Sequence, residues 1–155
     1  MLKTIIWVDA DACPNPIKEI LFRAADRREV DLNLVANQSL RVPRSPRIRS
    51  LTVPQGFDVA DDYILEQART SDLVVTQDIP LAASLVEKGV AVVDPRGREY
   101  DARNIGERLS MRNFMDEMRG SGVNTGGPSA FGDREKQAFA NSFDRILTRL
   151  LRATP

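Results

Sequence analysis

The chain contains no histidine, a single cysteine and no long apolar run. The lack of histidine excludes Ser-His-Asp and Cys-His catalysis, histidine general bases and the usual four-ligand zinc sites. One cysteine cannot form an internal disulfide, which favours a reducing, cytoplasmic location. No stretch approaches the roughly 20 apolar residues of a membrane-spanning helix. We therefore expect no membrane partner.

The groups that remain for catalysis are carboxylates, lysine, tyrosine and water activated by a metal. A metal in this chain has to be held by oxygen ligands, which favours Mg²⁺ or Mn²⁺ over zinc. The 22 basic and 22 acidic residues balance, so net charge indicates no particular partner. A length of 155 residues predicts a single domain spanning residues 1–155.

Short apolar runs alternate with helical periodicities along the first two thirds of the chain. The predicted strands are residues 3–8, 31–36, 48–53, 73–76 and 90–93, and the predicted helices are residues 14–28, 58–69 and 79–88. This order predicts a three-layer, Rossmann-like α/β fold with a mainly parallel sheet flanked by helices. Two further helices, at 104–119 and 133–151, predict a C-terminal helical extension (104–151) packed on that domain.

Acidic residues follow two of the predicted strands. Asp9 and Asp11 end the first strand, and Asp78 follows the strand at 73–76. Ligands of open parallel sheets bind outside the carboxyl ends of the strands, so neighbouring strands would bring these carboxylates together. The first turn of the helix after Gly56 contributes three more acids, one or two of which could reach the same place: Asp58, Asp61 and Asp62.

Several ionised carboxylates within a few ångströms repel one another strongly unless a cation lies between them. A divalent metal removes that repulsion, and two metals can clamp a phosphodiester and activate a water for in-line hydrolysis. The alternative is structural, because aspartate is common in turns and at helix N-termini. Asp58, a predicted N-cap, and Asp61 can both be explained in this way, by N-capping and the helix dipole.

A second candidate feature is a basic loop after the second strand. It carries four arginines and no acid: Arg41, Arg44, Arg47 and Arg49. Such a loop can contact a phosphate backbone, and the alternative is an ordinary solvated loop. Arg96, which follows the strand at 90–93, is a better placed phosphate contact.

The glycine-rich segment after Gly120 is a third candidate. Its backbone N–H groups could bind an anion, with Thr125, Gly126 and Gly127 as the contact residues, although a flexible connector is the alternative. Cys13 precedes a predicted helix, but no histidine can activate it and two carboxylates precede it. We expect it to pack rather than react.

Several of these segments together resemble the YaiI/YqxD family of uncharacterised bacterial proteins. The resemblance rests on Trp7-Val8-Asp9-Ala10-Asp11-Ala12-Cys13-Pro14, Ala36-Asn37-Gln38-Ser39, Gly56-Phe57-Asp58-Val59-Ala60-Asp61, Val75-Thr76-Gln77-Asp78-Ile79-Pro80, Asp94-Pro95-Arg96-Gly97, Met111-Arg112-Asn113-Phe114-Met115 and Thr125-Gly126-Gly127-Pro128. It covers nearly the whole chain.

That family is in turn similar to the PIN-like nucleases, which are Rossmann-like domains that bind Mg²⁺ or Mn²⁺ and cut RNA. The resemblance implies that Asp9 is the first-strand carboxylate, Asp78 the later strand-end carboxylate and Asp61 the helix-borne acid. Asp11 would be an additional ligand of this family. The long helices after Asp94 have no simple counterpart in a minimal PIN domain.

The leading hypothesis is therefore a metal-dependent ribonuclease. Asp9, Asp11, Asp61 and Asp78 would form both the catalytic site and the metal site, and the phosphate contacts would be Arg41, Arg47 and Arg96. Two alternatives remain open. One is a nucleic-acid or nucleotide-binding module that does not cut, and the other is a phosphohydrolase acting on small esters.

Overall fold

The structure is a computed structural model and describes residues 3–56, 58–120 and 131–153. The strands within these ranges are β1 Ile5–Asp9, β2 Asp31–Ala36, β3 Ile48–Thr52, β4 Leu73–Val75, β5 Ala91–Val93 and β6 Glu99–Tyr100. The helices are α1 Asn15–Arg28, α2 Val59–Gln67, α3 Ile79–Lys88, α4 Ile105–Gly120 and α5 Asp133–Ala153, and a 3₁₀ turn spans Ala10–Ala12. The glycine-rich segment with Thr125, Gly126 and Gly127 lies outside the described residues.

The six strands form one sheet in the order β3-β2-β1-β4-β5-β6. Neighbouring strands are parallel except for β5 and β6, which are antiparallel. This confirms the predicted three-layer, mainly parallel α/β fold. From β1 the chain proceeds outward through β2 and β3 and then returns to the other side of β1 with β4. The carboxyl ends of β1 and β4 therefore flank the crevice in which such sheets bind ligands.

The sheet is buried on both faces, as its near-continuous apolar strands predict. Ile6 and Val8 of β1 contribute to the core shared with α1 and α5, whereas Trp7 faces the core shared with α2 and α3. The amphipathic pattern of α5 is explained by this packing. Four of its side chains are buried in the first core: Phe139, Phe143, Ile146 and Leu147.

The C-terminal helices occupy different positions. α5 completes the layer begun by α1, and Arg28 joins the two helices through a 2.7 Å ion pair with Asp144. α4 packs mainly against α3 on the opposite face. No helix in the described ranges combines the length and the hydropathy needed to cross a lipid bilayer.

The bounds of β2 and α3 match the predicted ones, those of the other predicted elements differ by one or two residues at an end, and β6 was not predicted. The structure also corrects the predicted capping role of Asp58. This residue stands before α2, but its backbone is left-handed (φ 63°) and its side chain makes no capping hydrogen bond. Asp78 is the acid that caps a helix, because its side chain accepts a hydrogen bond from the Leu81 N–H. Helix capping thus applies to Asp78, for which the sequence had predicted a catalytic and metal-binding role.

Candidate active site

Thr76 connects the carboxyl ends of the two central strands. Asp9 is the last residue of β1, and Thr76 follows directly after β4. The Thr76 hydroxyl donates to Oδ2 of Asp9 over 3.0 Å and accepts from the Asp78 N–H over 3.0 Å. This buried hydroxyl therefore sets the position of both acids across the crevice.

Asp78 is held rigidly at the start of α3. Its Oδ1 accepts a 2.8 Å hydrogen bond from the Leu81 N–H, which satisfies one of the free N–H groups at the helix N-terminus. This cap fixes the orientation of the carboxyl group. Asp61, in the first turn of α2, lies against the same group.

The carboxyl groups of Asp61 and Asp78 lie within hydrogen-bonding reach of each other, which favours the protonated form of Asp61. Burial raises the pKa of Asp61, and the contact with Asp78 together with the charges of Asp9 and Asp58 raises it further, to about 7. Two neighbouring carboxyl groups cannot both ionise at low cost. The structure thus brings Asp61 and Asp78 to the same cleft, while their predicted catalytic and metal-binding roles stay predictions.

Asp9 belongs to the same electrostatic group. Burial raises the pKa of Asp9, the hydrogen bond from Thr76 lowers it in part, and the charges of Asp78 and Asp11 raise it. Asp11 is more peripheral: it is exposed in the 3₁₀ turn, and its Oδ2 accepts a 2.8 Å hydrogen bond from the Asn37 N–H. It contributes charge to the group and attaches the turn to the end of β2.

A cleft of about 280 Å³ opens beside Asp61 and Asp78, between α2, α3 and α4, and Asp9 and Asp11 do not line it. Its polar lining is Asp58, Asp61, Asp62, Asp78, Ser84 and Arg112. Arg112 comes from α4 and forms a 3.5 Å ion pair with Asp116 one turn along the same helix. It brings a guanidinium to a wall otherwise dominated by carboxylates.

Sequence reasoning included Arg112 only within a family motif and gave it no role. Nothing in its local pattern distinguishes it from the other exposed arginines. The sequence pattern likewise predicted no role for Thr76, although a threonine at a strand end, two residues before an acid, can be recognised in the sequence. The packing of α4 on α3 is what brings Arg112 to the cleft.

The donor chemistry of the group suits a hard divalent cation. Asp61 and Asp78 present carboxyl oxygens in contact, with Asp9 close enough to affect the titration of Asp61. Across the described residues, no three acidic or thiol side chains are already arranged as a metal-ion site. Mg²⁺, however, is commonly held by one or two carboxylates together with water and substrate phosphate. Two carboxylates in contact fit that requirement, and the four-aspartate metal site stays a prediction.

The three predicted phosphate contacts are not brought together. Arg47 precedes β3, at the amino ends of the strands, and pairs with Asp31 at 3.5 Å. Arg96 follows β5 on the carboxyl side, where its guanidinium lies over the Phe131 ring and 3.9 Å from Glu135. Arg41 is exposed beyond the end of β2. Of these, only Arg41 and Arg96 lie after strand ends.

Cys13 packs as the sequence indicates. Its side chain belongs to the core shared with α1 and is only 7% exposed. Burial raises the pKa of the thiol to about 12, against the opposing effect of Lys18. A thiol in this state is neither a nucleophile nor a ready metal ligand at neutral pH.

Comparisons with known proteins agree with the motifs. The model of the family described as "Uncharacterized BCR, YaiI/YqxD family" matches residues 7–149. A UPF0178 protein of Shewanella baltica is 59% identical over 145 residues, covering 94% of this chain and 97% of the relative. A UPF0178 protein of Bordetella petrii is 58% identical over 148 residues, covering 96% and 99%. The chain therefore belongs to the YaiI/YqxD family.

Proposed function

We propose that this protein is a metal-dependent nuclease that hydrolyses RNA phosphodiester bonds at the Asp9, Asp61 and Asp78 group. The observation that supports this most directly is that Asp61 and Asp78 line one cleft, at the sheet edge where β1 and β4 end, and that their proximity raises the pKa of Asp61. A protein gains no stability from forcing two acids together. Such an arrangement is typical of functional sites, where perturbed carboxyls concentrate.

Asp61 and Asp78 would hold Mg²⁺ or Mn²⁺, with Asp9 near them. When bound, the metal would supply charge neutralisation at the phosphate and polarisation of its oxygens. Thr76 acts as a positioning residue, because its hydroxyl orients Asp9 and anchors the Asp78 backbone. Arg112 lies where a guanidinium can pair with phosphate oxygens as negative charge develops in the transition state.

The choice of RNA is supported by the resemblance of the family's acidic pattern to PIN-like nucleases. A small phosphate ester is the second candidate, and the size of the cleft favours it. A volume of about 280 Å³ lies at the lower end of the usual range for small-ligand sites. Both candidates use the same carboxylates, so the substrate panel has to separate them.

The test compares cleavage of labelled single-stranded RNA with hydrolysis of p-nitrophenyl phosphate, each with Mn²⁺, with Mg²⁺ and with EDTA. We expect metal-dependent RNA cleavage that falls at least about 100-fold in Asp61→Asn and Asp78→Asn. Glu87→Gln is the matched control, because Glu87 is an exposed acid near the far end of α3. Its activity should equal that of the wild type.

Each alternative outcome has a defined meaning. Activity on the ester but not on RNA would replace the nuclease with the phosphohydrolase. RNA binding without turnover in any metal would leave a binding module. Equal cleavage by the wild type and by both aspartate variants would show that Asp61 and Asp78 do not form the active site.

A further inference from the structure

A second cavity, of about 330 Å³, lies between the first turns of α1 and the segment that follows β2. Its apolar wall is formed by Phe22, Leu34 and Leu40. Two basic residues also line it, Lys18 on the helix and Arg41 on the loop. We propose that this cavity, here called the α1 pocket, binds one nucleotide unit of single-stranded RNA on the α1 face of the sheet, across the carboxyl edge from the carboxylate site.

The helix side of the α1 pocket follows from residue spacing. Asn15, Lys18 and Phe22 recur at intervals of three and four residues, which puts them on one face of α1. This face presents an amide, an ammonium and an aromatic ring to the same cavity. An aromatic ring is the usual platform for an unstacked base, and an ammonium is a common phosphate contact.

The loop side is anchored, so the position of Arg41 is constrained. The Leu40 N–H donates to the Ser50 hydroxyl of β3 over 3.2 Å. Further along the loop, the Ser45 hydroxyl donates to Asp26 of α1 over 2.5 Å. These two bonds hold the loop against both the sheet and α1, which argues against a freely solvated segment.

The positive charges of Lys18 and Arg41 are available to a ligand in the α1 pocket. In the part of the chain that the structure describes, neither Lys18 nor Arg41 has an ion-pair or hydrogen-bonding partner among the side chains. Their pairing with a phosphate would therefore break no existing contact. Glu19 also lines the cavity, and its carboxylate is suited to accept from an exocyclic amino group of a base rather than to contact a phosphate.

The location connects the α1 pocket with the carboxylate site. α1 begins at the carboxyl edge of the sheet, directly after the 3₁₀ turn that carries Asp11. Asp9 and Asn15 are six residues apart, which limits their separation to about 22 Å. Asp11 also bonds to Asn37 at the start of the loop that carries Arg41. A strand of RNA crossing this edge could therefore contact both places.

This inference rests on the proposed function for the identity of the ligand, and its test separates the two. Binding of fluorescein-labelled single-stranded RNA is measured by anisotropy in EDTA, across a series of salt concentrations. We expect Lys18→Ala with Arg41→Ala to weaken binding at least 10-fold and to flatten the salt dependence by about two phosphate contacts. Phe22→Leu should weaken binding about 3-fold or more with the salt dependence unchanged.

The matched control is Arg44→Ala with Arg49→Ala. This double variant removes two positive charges from the same region at exposed positions that do not line the α1 pocket. We expect it to weaken binding less than about 3-fold. Equal losses for the two double variants would overturn the proposal and indicate diffuse attraction of the whole loop.

Cleavage assays on the same variants keep the two proposals apart. RNA cleavage by the wild type with unchanged binding in the Lys18/Arg41 variant would refute the α1 pocket and leave the nuclease standing. Pocket-dependent binding without cleavage would refute the nuclease and leave the α1 pocket standing. A free nucleoside monophosphate should compete with the RNA, and a lack of competition at a large excess would overturn the assignment of one nucleotide unit to the α1 pocket.

Discussion

Replacing Asp61 with asparagine should stabilise the metal-free protein, although Asp61 is assigned to the active site. In the structure, burial and the contact with Asp78 raise the pKa of Asp61 from 3.8 to about 7. Asparagine has no charge to lose, and its amide N–H can donate to the Asp78 carboxylate. The substitution therefore removes a repulsion while keeping a hydrogen bond.

The sign of the pH dependence follows from linkage. Below pH 3.8 Asp61 is protonated in both the folded and the unfolded chain, so it costs nothing. As pH rises from about 4 to about 7, the unfolded chain releases this proton more readily than the folded chain, and the stability of the wild type falls. Above about pH 7 the loss is complete and constant. The advantage of Asp61→Asn should therefore grow between pH 4 and 7 and then level off.

The magnitude is limited by exposure. A pKa of about 7 sets an upper bound of about 4 kcal/mol at 1.36 kcal/mol per unit. Asp61 is only half-buried, and solvent screening reduces this to about 1–2 kcal/mol. For a chain of this length, that gain corresponds to a rise in Tm of about 2–8 °C.

The assay is urea unfolding in EDTA at pH 5, 6, 7 and 8, followed by far-UV circular dichroism and by Trp7 fluorescence. Glu87→Gln serves as the control and should follow the wild type at every pH. Saturating Mn²⁺ should reverse the order, because at 100 times Kd it adds about 2.7 kcal/mol to the wild type and much less to the variant. If Asp61→Asn is less stable than the wild type at pH 8 without metal, the reasoning about this pair is wrong.

Three further predictions concern residues outside the cleft. Gly97→Ala should lower the free energy of unfolding by roughly 2–4 kcal/mol, because the φ of Gly97 is +90° and an added Cβ would lie 2.6 Å from the Ala138 carbonyl oxygen. An unchanged Tm in thermal unfolding would contradict this contact. Asp72 is fully buried, and its carboxylate accepts hydrogen bonds from the Trp7 indole and from two backbone N–H groups. Asp72→Ala should therefore lower the free energy of unfolding in urea by about 2–4 kcal/mol and should alter Trp7 fluorescence. Cys13 should react with a thiol reagent at neutral pH far more slowly in the native protein than in urea, since it is 7% exposed; equal rates would place the thiol at the surface.

Much of the framework follows from local pattern. The apolar runs after Thr4, Val30 and Asp72 predict buried strands, and β2 and α3 have the bounds that the sequence predicts. Periodicity and the terminal residues of a helix are local properties, so they can be recognised without tertiary information. β6 was missed because two residues carry no recognisable period.

The roles of the individual acids could not be assigned from pattern alone. Asp94 follows β5 much as Asp78 follows β4, and Asp72 directly precedes β4, but both are buried and satisfied by N–H and O–H donors. Asp58 has the position of a helix cap without making the bond. The hydrogen-bond partners and the burial of each carboxyl group, which only the tertiary structure shows, are needed to separate structural acids from candidate catalytic ones.

The sequence by itself determined the absence of histidine chemistry, the α/β order of the elements and the placement of Asp9 and Asp78 after strands. The strand order β2-β1-β4 decided that those two acids lie on either side of Thr76, because strand adjacency depends on non-local pairing. Helix packing decided the rest: α2 brings Asp61 against Asp78, and α4 brings Arg112 to the cleft. The fold also separates two arginines of the basic loop, because Arg41 lies beyond the end of β2 whereas Arg47 precedes β3 at the opposite edge of the sheet.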